Sequence, residues 1–281
     1  MKNSKFVIDK LSKLFEQGLV SSKDLGNELM TILKSKRDEV IFKMKLTSKE
    51  EFEILLKRVE NLEKKIDSMQ IKKRKKIRRV KNRISKKSKD IFLVHQTHSN
   101  KFVFIDEKFK FFRKKIKADA IITNQKKQPI AILTADCVPI LLYDHKKNMI
   151  AAIHAGWRGA FKEIVKRVVF FMIKKGCKRN NITAAIGPCI GNKSYNVKDD
   201  FFKKFIKKNK KNKIFFKKKK NNTYFDLPNF VKSQLKSIKI LNIDTINIDT
   251  FTKKNNFFSA RQSLKSRHDD YGRNISIIMI N

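Results

Sequence analysis

Apolar and polar positions along residues 91–281 fall into short runs that read as strands. They are Ile91–Val94, Ala120–Thr123, Ile130–Leu133, Ile140–Tyr143, Ile150–His154, Thr183–Ile186, Ile243–Ile248 and Ile275–Ile280. Two of these runs flank a polar turn, Asp144 to Asn148, which predicts an antiparallel hairpin. With Asp144 opposite Met149, His154 falls opposite Pro139 and Cys137 opposite Gly156. A thiol and an imidazole then meet at the open end of one hairpin. A helix is predicted from Ala160 to Lys175, with Phe161, Ile164, Val165, Val168 and Met172 on one face and Gly176 ending it. Upstream, the apolar period changes to steps of three and four. Phe52, Leu55, Val59, Leu62, Ile66 and Met69 form a heptad seam of about two and a half repeats, opened by a capping box in Thr47-Ser-Lys-Glu-Glu51. An earlier helix, around Phe6 to Phe15, carries Ile8, Leu11, Leu14 and Phe15 on one face. The chain thus divides into a helical coiled-coil module over 1–70, a basic linker over 71–90 and a compact domain over 91–281.

Charge changes this picture little. The 281 residues carry 68 Lys and Arg against 26 Asp and Glu, a formal charge of +42. The lysines are spread along the chain, and Asn, Ile and Phe are abundant with them, which reads as compositional drift with lysine as the default surface residue. Such a chain attracts polyanions in a salt-dependent way, but no specific nucleic-acid partner is implied. Residues 71–90 read as a self-repelling linker, with an anionic-lipid or RNA contact as the alternative. The lysine–asparagine stretch at 207–222 reads as a mobile insertion. The 3 cysteines are odd in number and unevenly spaced, which fits a reducing compartment. With neither a signal-peptide pattern nor a spanning run, the expected location is cytoplasmic, with peripheral membrane contact through 1–90 as the variant and self-association through 52–69.

The candidate chemistry centres on Cys137 and His154. Phe92-Leu-Val-His95-Gln-Thr-His98 supplies two more imidazoles at an odd separation, so at most one joins the pair if the segment stays extended. Two His and one Cys with an open fourth position form a known catalytic zinc set. A thiol nucleophile with its base, or an inert core cysteine, is the competing reading. Gly156-Trp157-Arg158-Gly159 sits between strand and helix, where close backbone approach, free amides and the Arg158 fork would cradle an oxyanion. Asp136 is a candidate ligand-orienting or proton-shuttling group, although strand alternation turns it away and favours bracing of the turn. Arg261 is a second candidate anion contact. Trp157 and Cys189 read as packing residues, and His268 as a surface or supporting residue, while the choice between His95 and His98 stays open on spacing alone.

Two resemblances follow from the motifs. Lys36-Arg-Asp-Glu-Val40 through Val59-Glu-Asn-Leu62-Glu-Lys-Lys-Ile66 resembles the BMFP-type accessory factor of ubiquinone biosynthesis over residues 5–70, which implies a trimeric helical module that associates with lipid. His98, Thr134-Ala-Asp-Cys137, His154-Ala-Gly-Trp-Arg-Gly159, Ile186-Gly-Pro-Cys-Ile190, Asp226-Leu-Pro228 and Phe257-Phe-Ser259 through Tyr271-Gly-Arg273 together resemble the YfiH-type laccase-domain family over 91–281. That second resemblance implies an α+β fold, a layered mixed β-sheet sandwich flanked by helices. It implies zinc, with copper as the alternative, bound by His98, Cys137 and His154. It also implies phosphorolysis of adenosine, inosine, guanosine and methylthioadenosine, with adenosine deamination as a side activity. The chain departs from the family pattern in three places. Residues 1–90 lack its Thr-Arg-x-Gly-Gly-x-Ser segment, Ala260-Arg261-Gln262 replaces Tyr-Arg-Arg, and Asp249 stands where many relatives have Cys. The rival reading is a pocketless domain fused to a membrane-associated coiled coil. Multi-electron oxygen chemistry would need more redox centres than one His–His–Cys site offers.

Overall fold

The computed structural model describes residues 57, 59–61, 64, 68, 80, 88–109, 116–266 and 272–281. The chain clusters into two units, Met1–Arg83 and Ile84–Asn281. In the first, the described positions are helical and include Val59 of the predicted seam. The other seam positions, the capping box, the Phe6–Phe15 helix and nearly all of 71–90 lie outside the described residues, as do His268 and Tyr271. No helix among the described residues is long and apolar enough to cross a membrane.

The second unit is built on a mixed sheet of six strands among the described residues. These are β1 (Phe102–Ile105), β2 (Ala120–Thr123), β4 (Val138–Asp144), β5 (Met149–Ala155), β6 (Ile182–Ile186) and β10 (Ile243–Thr245). Their spatial order is β1-β2-β5-β4-β6-β10. The two outer pairs, β1–β2 and β6–β10, are parallel and the inner ones antiparallel. The hairpin β4–β5 has Asp144 opposite Met149 and Pro139 opposite His154, the predicted register. Asp144 fixes the turn by accepting the amides of Lys146 and Lys147 at 2.9 and 2.8 Å.

All seven residues of β5 are buried, because both faces of this central strand are covered. On one side α2 (Ile164–Lys174) and α4 (Leu227–Ser237) pack against Ala151, Ile153, Ile140 and Leu142. On the other, an antiparallel pair of β3 (Ile130–Thr134) and β11 (Asn274–Ile278) covers Ile121, Ile150 and Ala152. Strand alternation puts His154, two residues on from Ala152, on this second face. The architecture is the expected α+β sandwich.

Several details differ from the sequence expectation. Ile91–Val94 is not a strand; Phe92 and His95 make isolated parallel bridges to Ile130 and Lys117. The single helix expected at Ala160–Lys175 is two, a short α1 (Trp157–Phe161) and α2, split where Glu163 adopts a left-handed φ of 61°. The lysine-rich stretch at 207–222 is ordered. It runs from the end of α3 (Asp199–Lys208) through a 3-10 turn, Lys210–Phe215, into a sheet of β7 (Asn196–Val197), β9 (Asn222–Phe225) and β8 (Phe216–Lys219). What orders it is phenylalanine beneath the lysines. Phe205 is fully buried, with ring centroids 4.7 Å from Phe201 and 4.8 Å from Phe225. Phe205→Ala is expected to cost about 3–5 kcal/mol in a denaturant titration, the usual penalty for an emptied aromatic site. A loss below about 1 kcal/mol would mean that this cluster is not packed.

Candidate metal centre

Three elements deliver the side chains. Cys137 immediately precedes β4 and His154 lies near the end of β5, so hairpin register brings them together. His98 comes from the bend that follows His95, where its own φ of 56° turns the chain out of extended conformation. That bend decides between the two upstream histidines: His95 stays in backbone pairing, donating to Ile116 O, and His98 reaches the pair. Each of His98, Cys137 and His154 offers a ligand atom, and all three atoms lie within 4.8 Å of one another. Cys137 Sγ is 3.7 Å from His98 Nε2, and the two imidazole rings meet edge to face at 4.8 Å.

Gly156 makes that convergence sterically feasible. A Cβ at this position would lie 2.7 Å from His98 Cδ2 and 2.9 Å from Cys137 Sγ. The buried carboxylate of Asp119, which sequence reading passed over, supports the site from behind. It accepts His154 Nδ1 at 2.8 Å and the amides of His98 and Ser99 at 2.9 and 2.6 Å. With Nδ1 committed, Nε2 is the ring atom His154 presents to a ligand. A soft sulfur and two imidazole nitrogens suit zinc or copper rather than a hard cation.

The charges of these groups are interdependent. Burial pushes the Cys137 thiol up, but His154 and His98 outweigh it and bring it down to about 6. Burial disfavours the His154 cation, yet Cys137 and Asp119 together raise it to about 9. Burial likewise opposes ionisation of Asp119, and hydrogen bonds from His154 and Ser99 hold it at about 2. Between about pH 6 and 9 the metal-free site is therefore a thiolate beside an imidazolium. Cys177 and Cys189 behave oppositely, with burial pushing both up to about 12. Iodoacetamide should then alkylate Cys137 at neutral pH in metal-free protein, with a half-maximal rate near pH 6, and spare the other two. Peptide mass mapping reads this; equal labelling of all three thiols contradicts it.

A cavity of about 290 Å³ opens beside the cluster. His98, Asp136 and Cys137 line it on the side of the grouped donors, Trp157, Arg158 and Arg261 add aromatic and cationic groups, and Tyr195, Ile190, Leu227 and Leu264 add further wall. His154 is 3% exposed and does not line it. The Arg158 guanidinium lies 5.3 Å from the centre of the Trp157 ring and its side chain is exposed. Arg261 lies 4.9 Å over the Tyr195 ring and donates to Asn196 O at 2.6 Å.

Gly156 and Gly159 both stand where the packing leaves no room for a side chain; a Cβ on Gly159 would lie 2.9 Å from the Ser99 carbonyl oxygen. The short α1 also gives the expected oxyanion cradle only five helical residues behind it. Asp136, held at a φ of 80°, lines the cavity with both oxygens engaged. Oδ1 accepts Thr250 Oγ1 at 2.8 Å and Oδ2 accepts the Arg261 amide at 2.7 Å. It therefore braces the turn and anchors the start of α5 (Ala260–Lys265). Sequence reading missed Tyr195 as well as Asp119; an aromatic residue just beyond Ile186-Gly-Pro-Cys-Ile-Gly191 was the available signal.

The family model described as multi-copper polyphenol oxidoreductase laccase matches residues 57–281. A purine nucleoside phosphorylase of Rickettsia prowazekii is 38% identical over 179 residues, covering 63% of this chain and 72% of that protein. An adenosine deaminase from an unknown prokaryotic organism is 36% identical over 124 residues, covering 42% of this chain and 47% of that one. The crystal structure of a hypothetical protein YfiH from Bacillus licheniformis superposes with a TM-score of 0.62 at 26% identity, over 69% of this chain and 76% of that one.

Proposed function

Because the chain belongs to the family described as multi-copper polyphenol oxidoreductase laccase, and its curated relatives are named for work on purine nucleosides, we propose that it is a zinc-dependent purine nucleoside phosphorylase. Its substrates would be adenosine, inosine, guanosine or methylthioadenosine with phosphate, and adenosine deamination would be a side activity. The observation that carries this reading is the convergence of the His98, Cys137 and His154 donor atoms beside a cavity that His98 and Cys137 line together with two arginines.

In phosphorolysis the bond from ribose C1′ to the purine nitrogen breaks, a bond from C1′ to a phosphate oxygen forms, and the departing base takes up a proton. Arg158, exposed at the cavity wall beside the Trp157 ring, binds and orients the phosphate. Ile190, Leu227, Leu264 and the Tyr195 ring give the purine an apolar seat that excludes water. Asp136 sets the position of Arg261, a second cation for phosphate or ribose oxygens. When bound by His98, Cys137 and His154, zinc supplies Lewis acidity at the same cavity.

The test is release of free base and ribose 1-phosphate from each nucleoside, with and without phosphate. Base release that depends on phosphate supports the reading; no turnover of any of the four nucleosides by zinc-loaded protein rejects it. Arg158→Ala should raise the KM for phosphate about 10- to 100-fold, the equivalent of one lost charge-assisted hydrogen bond. The KM for the nucleoside should change far less.

A further inference from the structure

Asp119 has the highest density of directed polar contacts around the cluster, and the division of those contacts between its two oxygens is informative. Oδ1 accepts from both histidines, the His98 amide at 2.9 Å and the His154 Nδ1 at 2.8 Å. Oδ2 accepts the Thr97 and Ser99 amides at 3.2 and 2.6 Å and Ser99 Oγ at 2.6 Å. The backbone of the same residue continues the clamp, its carbonyl accepting the His154 amide at 2.8 Å and its amide donating to Lys101 O at 2.9 Å. Asp119 is fully buried.

We propose that Asp119 is the positioning residue of this metal site: one carboxylate oxygen sets the ring orientation and tautomer of His154 and the backbone placement of His98 at the same time. The inference rests on His98, Cys137 and His154 holding zinc. A metal-bound imidazole is oriented through the hydrogen bond of its other nitrogen, and loss of such a partner weakens metal binding. His98 needs help of a different kind, because a φ of 56° is unfavourable for a residue with a Cβ. Three consecutive amides, from Thr97 to Ser99, converge on one anion and hold that turn. A neutral amide cannot substitute. The side chain introduced by Asp119→Asn would have one acceptor oxygen, and its NH2 group would face N–H donors on whichever side it pointed. Either the Ser99 turn or the His154 ring would lose its partner.

The experiment compares full-length wild type with Asp119→Asn. Zinc affinity is measured by competition with a chromogenic chelator, and the protonated nitrogen of His154 is identified by 1H–15N NMR of the zinc-loaded protein. Wild type should carry its imidazole proton on Nδ1, and the variant should bind zinc about 10- to 100-fold more weakly, the cost of losing an outer partner of a ligand. The variant's His154 Nδ1–H signal should also be shifted or exchange-broadened. Affinity within about twofold of wild type overturns the proposal, as does weaker binding with an unchanged His154 signal, which would mark a merely structural role. Should Asp119→Asn fail to fold, the wild-type spectrum decides alone: a proton on Nε2 overturns the proposal and a proton on Nδ1 supports it. Wild type that takes up no stoichiometric zinc defeats the metal reading itself, and this inference with it.

Discussion

Replacing Cys137 with alanine is expected to remove stoichiometric zinc and phosphorolysis together while leaving the domain folded. Cys137 is the one sulfur among the three grouped donors, and its thiol is held near pKa 6 by the two histidines. The metal-free protein thus already presents a thiolate at neutral pH, and the proton that zinc displaces comes from the His154 imidazolium. The alanine variant keeps two imidazoles and no anionic ligand. Its affinity should fall well beyond the roughly 10–100-fold seen on loss of a supporting residue. Thermal unfolding gives a readout independent of activity. Added zinc should raise the Tm of wild type, since only the folded state assembles the site, and should leave that of Cys137→Ala unmoved. Because Cys137 lies outside the hydrophobic core clusters, the metal-free variant should stay folded, with its Tm lowered by loss of the thiolate–imidazolium pair. Zinc content equal to wild type in the variant would place the metal elsewhere.

Gly156→Ala is the second large effect, and it separates geometry from chemistry because no ligand is removed. Gly156 has a φ of −68° and a ψ of 165°, a conformation open to any residue, so alanine introduces no backbone strain. The whole effect is steric. The added methyl meets His98 Cδ2 at 2.7 Å and Cys137 Sγ at 2.9 Å, and one of the two ligands must move. Metal sites tolerate ligand displacement of only about 0.5 Å, so zinc affinity should drop at least tenfold, with turnover falling alongside it. Overpacking at one position costs about 1–3 kcal/mol, so the domain should remain folded at room temperature. Chelator competition and a denaturant titration on the same sample read the two effects. Unchanged zinc affinity would show that His98 and Cys137 do not close on a shared ion next to this glycine.

These expectations rest partly on features visible in the linear chain. The β4–β5 hairpin was legible because its determinants are local. Two apolar runs flank a turn whose Asp144 caps it, and the length of that turn sets the register of the strands it joins. The grouping of Cys137 with His154 followed from that register. His98 was narrowed to one of two candidates by strand parity, although the structure separates them by a bend instead. Asp119 was not legible. It is a single carboxylate between two alanines, and its importance comes from partners about 20 and 35 residues away, which no local pattern encodes. The ordered region from α3 to β9 was obscured in another way. Lysines dominate its composition, while the phenylalanines that fold it combine one pair at helical spacing, Phe201 and Phe205, with contacts across the 3-10 turn and the β8–β9 hairpin. The break between α1 and α2 depends on one left-handed residue, Glu163, whose type carries no such preference.

The most direct examination of the site is X-ray absorption at the zinc edge of the purified protein. One sulfur at about 2.3 Å and two imidazole nitrogens at about 2.0–2.1 Å, the distances typical of Cys and His ligation, are the predicted coordination shell. A shell without sulfur, or protein that carries no metal after incubation with zinc, would contradict the assignment of His98, Cys137 and His154.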